Sequence, residues 1–242
     1  MTQQRADIAL VERGFFASRA KAREAIEAGL ATVDGRVIAK PSEPIAAEAA
    51  LQALAPYPWV SRGGVKLAAA LEAFGIDPAG KNALDIGAST GGFAHVLLEG
   101  GATHVTCVDV GHSQLHPTIA NNPRVTSREK YDARKLTPAD LAEPPDVIVC
   151  DVSFISLALV LPPVLALAAP GAELAVLIKP QFEAGPENVK KGLVRDPQVR
   201  EAVCARIVKL VESLGWRVVG LLPSPISGGD GNHEFLLGAR RT

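Results

Sequence analysis

The sequence predicts an α/β fold with a mostly parallel sheet, joined to a small α+β unit at its N-terminus. Two observations carry this. From Asn82 onward short apolar runs alternate with helical patterns, as in a parallel sheet covered on both faces. Before it, residues 5–55 hold two short helical patterns and a hairpin signal, and the proline-rich stretch Ala55-Pro56-Tyr57-Pro58-Trp59-Val60 sets them apart. Domains are therefore expected at residues 1–55 and 62–242, with a semi-rigid linker at 56–61.

In the first unit, residues 6–13 place Ile8, Ala9, Leu10 and Val11 in a helical pattern stopped by Gly14. Ser18 then caps a second helix that Gly29 ends. Two short strands flank Asp34-Gly35, a strong hairpin signal. Arg19, Lys21 and Arg23 crowd the start of the second helix, with Arg5, Arg36 and Lys40 elsewhere. Cations at a helix start oppose the macrodipole, a small local cost that an external anion would relieve. A solvated amphipathic helix remains the alternative.

In the second unit, Ser61-Arg62-Gly63-Gly64-Val65-Lys66 leads into a helix stopped by Gly75. Strands are expected at 83–86, 104–109, 124–127, 146–151, 172–179, 216–222 and 234–239, with helices near 92–99, 113–120, 157–168 and 197–214. Seven strands with a hairpin-like last return suggest a Rossmann-like methyltransferase architecture.

The first of these strands runs into Asp85-Ile86-Gly87-Ala88-Ser89-Thr90-Gly91-Gly92-Phe93. Glycines this dense describe a sharp strand-to-helix turn, where backbone N–H groups approach a nucleoside or its charged tail. The spacing is G-x-x-x-G-G, not the G-x-G-x-x-G that holds a pyrophosphate. Asp109 ends the next run and would meet ribose hydroxyls. Together these favour S-adenosylmethionine over a dinucleotide.

Ligands of an open parallel sheet bind beyond the carboxyl ends of its strands, so the polar residues ending apolar runs should converge. Besides Asp85 and Asp109 these are Asp151 and Lys179. Two charges ending consecutive runs form a candidate catalytic pair, although a purely structural pair stays open. Lys190, Lys191 and Arg195 follow in a loop.

A net charge of −1 rules out a whole-chain polycation, so any RNA contact must come from local clusters. Cys107, Cys150 and Cys204 sit in apolar patterns without C-x-x-C spacing, which points to buried thiols in a reducing compartment and away from zinc. His112 and His116 are four apart but lack the following Glu of a metalloprotease motif, and no metal is expected. The N-terminus lacks an apolar signal core, and the apolar run 155–169 is too short to span a bilayer. A soluble, cytoplasmic protein is expected.

The string Ser18-Arg19-x-x-Ala22-x-x-x-Ile26-x-x-Gly29-x-x-x-Val33-Asp34-Gly35 resembles the small RNA-binding domain typified by ribosomal protein S-four. That resemblance implies RNA contact by Arg19, Lys21, Arg23 and Arg36, and Arg5 and Lys40, by their charge, are further RNA-binding candidates. Over the whole chain, Ser61-Arg-Gly-Gly-x-Lys66-Leu, Leu84-Asp-Ile-Gly-Ala-Ser-Thr-Gly-Gly-Phe93, Val108-Asp-Val-Gly111, Asp151-Val-Ser-Phe-Ile-Ser156, Ile178-Lys-Pro-Gln-Phe-Glu183 and Ser224-Pro-Ile-x-Gly-x-x-Gly-Asn-x-Glu234 resemble the TlyA family. Its members, often labelled hemolysins, are 2′-O-ribose methyltransferases of ribosomal RNA. The resemblance implies a Lys-Asp-Lys-Glu tetrad, shared with FtsJ-like enzymes, at Lys66, Asp151, Lys179 and Glu234. It also implies a seat for S-adenosylmethionine at Asp85, Gly87, Ala88, Ser89, Gly91, Gly92, Phe93, Asp109, Val110 and Asp132, where Asn is more usual than Asp132. Arg62, Lys190 and Lys191 would face ribosomal RNA, and the target would be a cytidine. The rival reading, prompted by the hemolysin label, is an RNA-binding or membrane-active protein with a vestigial methyltransferase fold.

Overall fold

In the computed structural model, which describes residues 3–229 and 231–242, the chain divides into two compact units, residues 1–58 and 59–242. Met1, Thr2 and Asp230 lie outside the described residues. The first unit runs β1 (Gln3–Arg5), α1 (Ala6–Glu12), α2 (Arg19–Glu27), β2 (Ala31–Val33), β3 (Arg36–Val37), β4 (Pro44–Ala46) and β5 (Leu51–Ala53). Ser18 Oγ accepts the Lys21 N–H and starts α2. Asp34 and Gly35, both at positive φ, turn the β2–β3 hairpin. Leu10, Phe16, Ile26, Ile38 and Ile45 fill its core.

Two expectations for this unit need correction. It holds more than two helices and a hairpin, because β5 pairs with β2, and β4 with β1. These strands are three residues long, too short to leave a period-two signature. One of the cations at the start of α2, Arg19, also finds an internal anion: buried Asp7 accepts 2.9 Å hydrogen bonds from Arg19 and from Arg5, which ends β1. These hydrogen bonds, Arg5's the stronger, hold the Asp7 carboxyl down at about 2.

The second unit continues with α3 (Gly63–Phe74), β6 (Asn82–Ile86), α4 (Gly92–Glu99), β7 (His104–Val108), α5 (Pro117–Ala120), β8 (Val125–Arg128), β9 (Val147–Cys150), α6 (Leu157–Leu165), β10 (Glu173–Ile178), α7 (Pro197–Ser213), β11 (Trp216–Pro223) and β12 (Phe235–Arg241). The seven strands form one sheet, as expected, in the order β11-β12-β10-β9-β6-β7-β8. All neighbours are parallel except β12, which runs antiparallel to both β10 and β11. Apolar side chains of α6 and α7, such as Leu161, Val164, Ile207 and Val211, cover one face, and those of α3 and α4, such as Leu67, Phe74 and Leu97, cover the other. Covered on both sides, β9 and β10 are buried at every position, which is why they read as continuous apolar runs.

The helix expected at 113–120 shrinks to α5. Glu129 takes its place upstream, its carboxylate accepting the N–H groups of Ser113, Gln114 and Leu115 that a helix start would leave open. The helix expected at 157–168 ends at Leu165.

The chain leaves β6 for β7 and β8 on one side, then crosses back to β9 on the other. The switch point therefore lies between β6 and β9, and a crevice opens beyond their carboxyl ends.

Candidate active site

At that crevice Gly87 follows β6 with φ +81°, and a Cβ there would stand 2.5 Å from the carbonyl oxygen of Asp151. The two strand ends touch backbone to backbone, the Asp151 N–H donating to the Ile86 carbonyl at 2.9 Å. Gly92 opens α4 packed on Ser61 and Gly64, where a Cβ would collide with Ser61 Oγ. Gly91 faces Leu115 and Ile119 instead of the crevice. Asp109, just past β7, accepts the Ser89 N–H at 2.8 Å and the Gly111 N–H at 2.7 Å, which ties the glycine turn to the next strand.

Two cavities adjoin here. One, about 370 Å³, is lined by Ile86, Gly87, Ser89, Asp109, Val110, Gln114, Tyr131, Asp132, Asp151, Ser153 and Phe154, among others. The second, about 230 Å³, is lined by Ser61, Arg62, Lys66, Gly87, Ala88, Ser89, Gly92, Phe93 and Asp151, among others. They share Gly87, Ser89 and Asp151. Apolar walls with carboxylates Asp109 and Asp132 at one side fit a nucleoside whose ribose diol needs acceptors, because each oxygen of Asp109 keeps a lone pair beyond the one N–H it accepts. Asp132 also caps the turn Ala133–Lys135 and forks onto Arg134, whose hydrogen bond is the main reason its carboxyl drops to about 2.

Asp85 sits apart. It is fully buried, lines neither cavity, and neither carboxyl oxygen has a well-formed hydrogen bond. Burial, seconded by the charge of Asp151, pushes its carboxyl up to about 8, so the acid is neutral at pH 7. Any influence on a ligand is exerted through the turn it precedes.

The four residues Lys66, Asp151, Lys179 and Glu234 gather as two pairs. Lys66, in the first turn of α3, donates to Glu234 at 2.5 Å, both side chains buried. Lys179 Nζ lies 2.6 Å from Asp151 Oδ1. That contact is an ion pair without hydrogen-bond alignment, since Asp151 Oδ1 has no hydrogen-bond partner, and the aligned bond from Lys179 goes to Ser153 Oγ at 2.8 Å. Glu234 reaches this edge because β12 is antiparallel: Ile178 pairs with Phe235, so the residue after β10 and the residue before β12 are brought side by side.

Several cations stand open to solvent. Arg62 is exposed at the second cavity, and Lys190 and Lys191 are exposed on the loop after Lys179. Phe154 is 89% exposed at φ +63°, its ring 4.9 Å from that of Phe182. In the first unit Arg23 and Lys40 are exposed and Lys21 half-buried, while Arg36 pairs with Glu43 at 2.5 Å. Among the described residues no group of three His, Cys, Asp or Glu side chains is placed to hold a metal ion, and no helix is long and apolar enough to cross a membrane.

The family description "FtsJ-like methyltransferase" matches residues 59–241, and "S4 domain" matches residues 4–50. A Mycobacterium tuberculosis protein named 16S/23S rRNA (cytidine-2′-O)-methyltransferase TlyA is 44% identical over 239 residues, 98% of this chain and 89% of that one. The chain belongs to the TlyA family of FtsJ-like methyltransferases. Another relative, named Hemolysin A, from Brachyspira hyodysenteriae, is 38% identical over 92% of this chain and 94% of its own length. A solved structure from Streptococcus thermophilus has a TM-score of 0.79 at 39% identity, covering 100% of this chain and 90% of that one.

In this TlyA-family methyltransferase three further residues organise the site, and two of them, Glu183 and Asn232, stand in the family-like strings of the sequence. Glu183 is buried, accepts Ser156 Oγ–H and Leu157 N–H at 2.7 Å each, and so ties the loop after β10 to the loop after β9. A lone acid in an otherwise apolar stretch, four residues after Lys179, is its sequence signal. Buried Asn232 donates to the Gly192 carbonyl and accepts the Val194 N–H, pinning the segment before β12 to the 190–194 loop. Glu129 holds the loop carrying Gln114. Glu129 does not stand out from ordinary surface polar residues in the sequence.

Proposed function

We propose that this protein transfers the methyl group of S-adenosylmethionine to the ribose 2′-hydroxyl of a cytidine in ribosomal RNA. One observation carries the reading: Asp151 forms a wall of both cavities and holds Lys179 at 2.6 Å, where donor and acceptor would have to meet. When bound, the donor supplies an electrophilic methyl on sulfonium, which leaves as a thioether. Asp109 would accept the donor's ribose hydroxyls, Asp132 would face the adenine, and the backbone of Gly87, Ala88, Ser89 and Gly92 would border its methionine end.

A ribose hydroxyl is a weak nucleophile, so the chain must orient it and receive its proton. Lys179 Nζ, acting as the free amine, is the group for that proton, and Asp151 balances the ammonium charge that results. Lys66 and Glu234, paired beside them, would help position the hydroxyl. Arg62, Lys190 and Lys191 would contact RNA phosphates, and Phe154 offers an open ring for a base. Residues 1–55, through Lys21, Arg23 and Lys40 above all, would grip structured RNA, with 56–61 as linker and 62–242 as the catalytic domain. Such a substrate places the protein in the cytoplasm.

The test combines calorimetry with methyl transfer to ribosomal RNA from cells lacking the gene, followed by mapping of the 2′-O-methyl groups. Lys179→Ala is expected to bind S-adenosylmethionine as the parent does and to transfer no methyl. Undiminished transfer by that variant would overturn the role of Lys179, and a parent protein that binds no S-adenosylmethionine would favour the membrane-active or purely RNA-binding alternative.

A further inference from the structure

We infer that Ser153 is a positioning residue for methyl transfer, the group that aims Lys179; this rests on the role proposed for Lys179 above. A lysine ammonium is a compact charge on a flexible four-carbon stem. Its 2.6 Å contact with Asp151 is strongly attractive but carries no aligned hydrogen bond. Coulomb attraction alone lets the ammonium swing around the carboxylate. The bond that fixes its direction is the aligned one, 2.8 Å to Ser153 Oγ. With one N–H on Ser153 and another side turned to Asp151, the remaining direction of Nζ, which carries the lone pair when Lys179 acts as the free amine, has a defined heading toward an approaching hydroxyl.

Ser153 is itself well anchored. It lies in the segment 151–156, which is tied at its start by the Asp151 N–H to the Ile86 carbonyl and at its end by Ser156 Oγ to Glu183. Glu183 belongs to the same short stretch as Lys179, so the contacts close a ring: Lys179 to Ser153, Ser153 along the chain to Ser156, Ser156 to Glu183, and Glu183 back to Lys179. Phe154, held at φ +63°, turns the chain directly after Ser153. The hydroxyl accepts from Lys179 and retains its own proton for another acceptor. Ser153 also lines the larger cavity, so direct contact with the methyl donor is the competing role that the experiment must separate.

The full-length protein is assayed with ribosomal RNA lacking the modification, and donor affinity is measured by calorimetry. Ser153→Ala is expected to lower kcat about tenfold or more, the scale of a misaimed proton acceptor, with KM for RNA and donor affinity within about twofold of the parent. Ser153→Thr, which keeps the hydroxyl, is expected to recover most of that loss. If Ser153→Ala does not fold, Ser153→Cys, a weak acceptor of similar size, is read in its place. An unchanged kcat overturns the inference, as does weakened donor binding at unchanged kcat, which would make Ser153 a donor contact. Lys179→Ala separates the layers: if it stays active the role of Lys179 fails, whereas if it is dead while Ser153→Ala is fully active only the inference about Ser153 fails.

Discussion

Lys66 and Glu234 stand 168 residues apart in the chain, yet their side chains meet at 2.5 Å in a buried pair beside the crevice. Gly228 makes room for it, since a Cβ there would come within 2.5 Å of Glu234 Oε1. Removing one partner leaves the other charge buried and unpaired, which costs about 3–5 kcal/mol, whereas replacing both by apolar groups is often nearly neutral. Lys66→Met and Glu234→Met are each expected to lower the urea midpoint sharply. The double variant should regain most of the stability and none of the methyl transfer. A double variant as unstable as either single one would show that the pair does not act as a unit.

Gly87→Ala tests the contact between the two strand ends. The substitution adds a Cβ 2.5 Å from the Asp151 carbonyl at a φ of +81°, which L side chains rarely adopt. Left-handed strain costs about 1 kcal/mol or more, and the overlap can be relieved only by moving Asp151 away from β6. Both donor affinity and turnover are expected to fall. Calorimetry and a methyl-transfer assay on the folded variant measure this, and a variant with parental values for both would refute the contact's importance.

Much of the larger unit was legible because its strands are buried on both faces and its turns carry glycine. The seven strands, the turn at Gly87 and the acids ending successive runs follow from those two facts. The pairing inside the tetrad was not legible. Lys66 meets Glu234 because β12 runs antiparallel, a property of the sheet that no local pattern records. The role of Ser153 was hidden for a different reason: although the residue stands in the string 151–156, a serine in a loop looks the same whether its hydroxyl faces water or a lysine. In the smaller unit the cluster of cations was plain, but Asp7, in the first turn of α1, gave no sign that it would collect two of them.

The buried acid Asp85 makes a pH prediction. Its folded-state value of about 8 lies well above the ordinary value near 4, so the folded protein binds a proton that the unfolded chain has released. The stability that this proton secures is complete below about pH 4 and is lost as pH rises toward 8. Asp85→Asn imitates the neutral acid and is free of that loss. Relative to Asp85→Asn, the parent should therefore lose roughly 2–4 kcal/mol between pH 5 and pH 8, from a limiting slope of about 1.4 kcal/mol per pH unit. Urea titrations of both proteins at the two pH values read the difference, and parallel midpoints would show that Asp85 is ionised.

The smaller unit separates structural from RNA-facing cations. Arg5 and Arg19 both hydrogen-bond to buried Asp7, whose carboxyl lies at about 2, below its ordinary value. The sign is opposite to that of Asp85: the stabilisation, about 1–2 kcal/mol, is present above pH 4 and disappears as pH falls toward 2. Arg19→Ala is therefore expected to loosen residues 3–58, seen as faster amide hydrogen exchange there in the full-length protein, along with weaker RNA binding. Arg23→Ala and Lys40→Ala remove exposed charges and should weaken RNA binding, with a shallower salt dependence, while exchange stays parental. The comparison has a clear failing result. If Arg19→Ala leaves exchange untouched, Asp7 does not organise the unit, and Arg19 belongs with Arg23 as a phosphate contact.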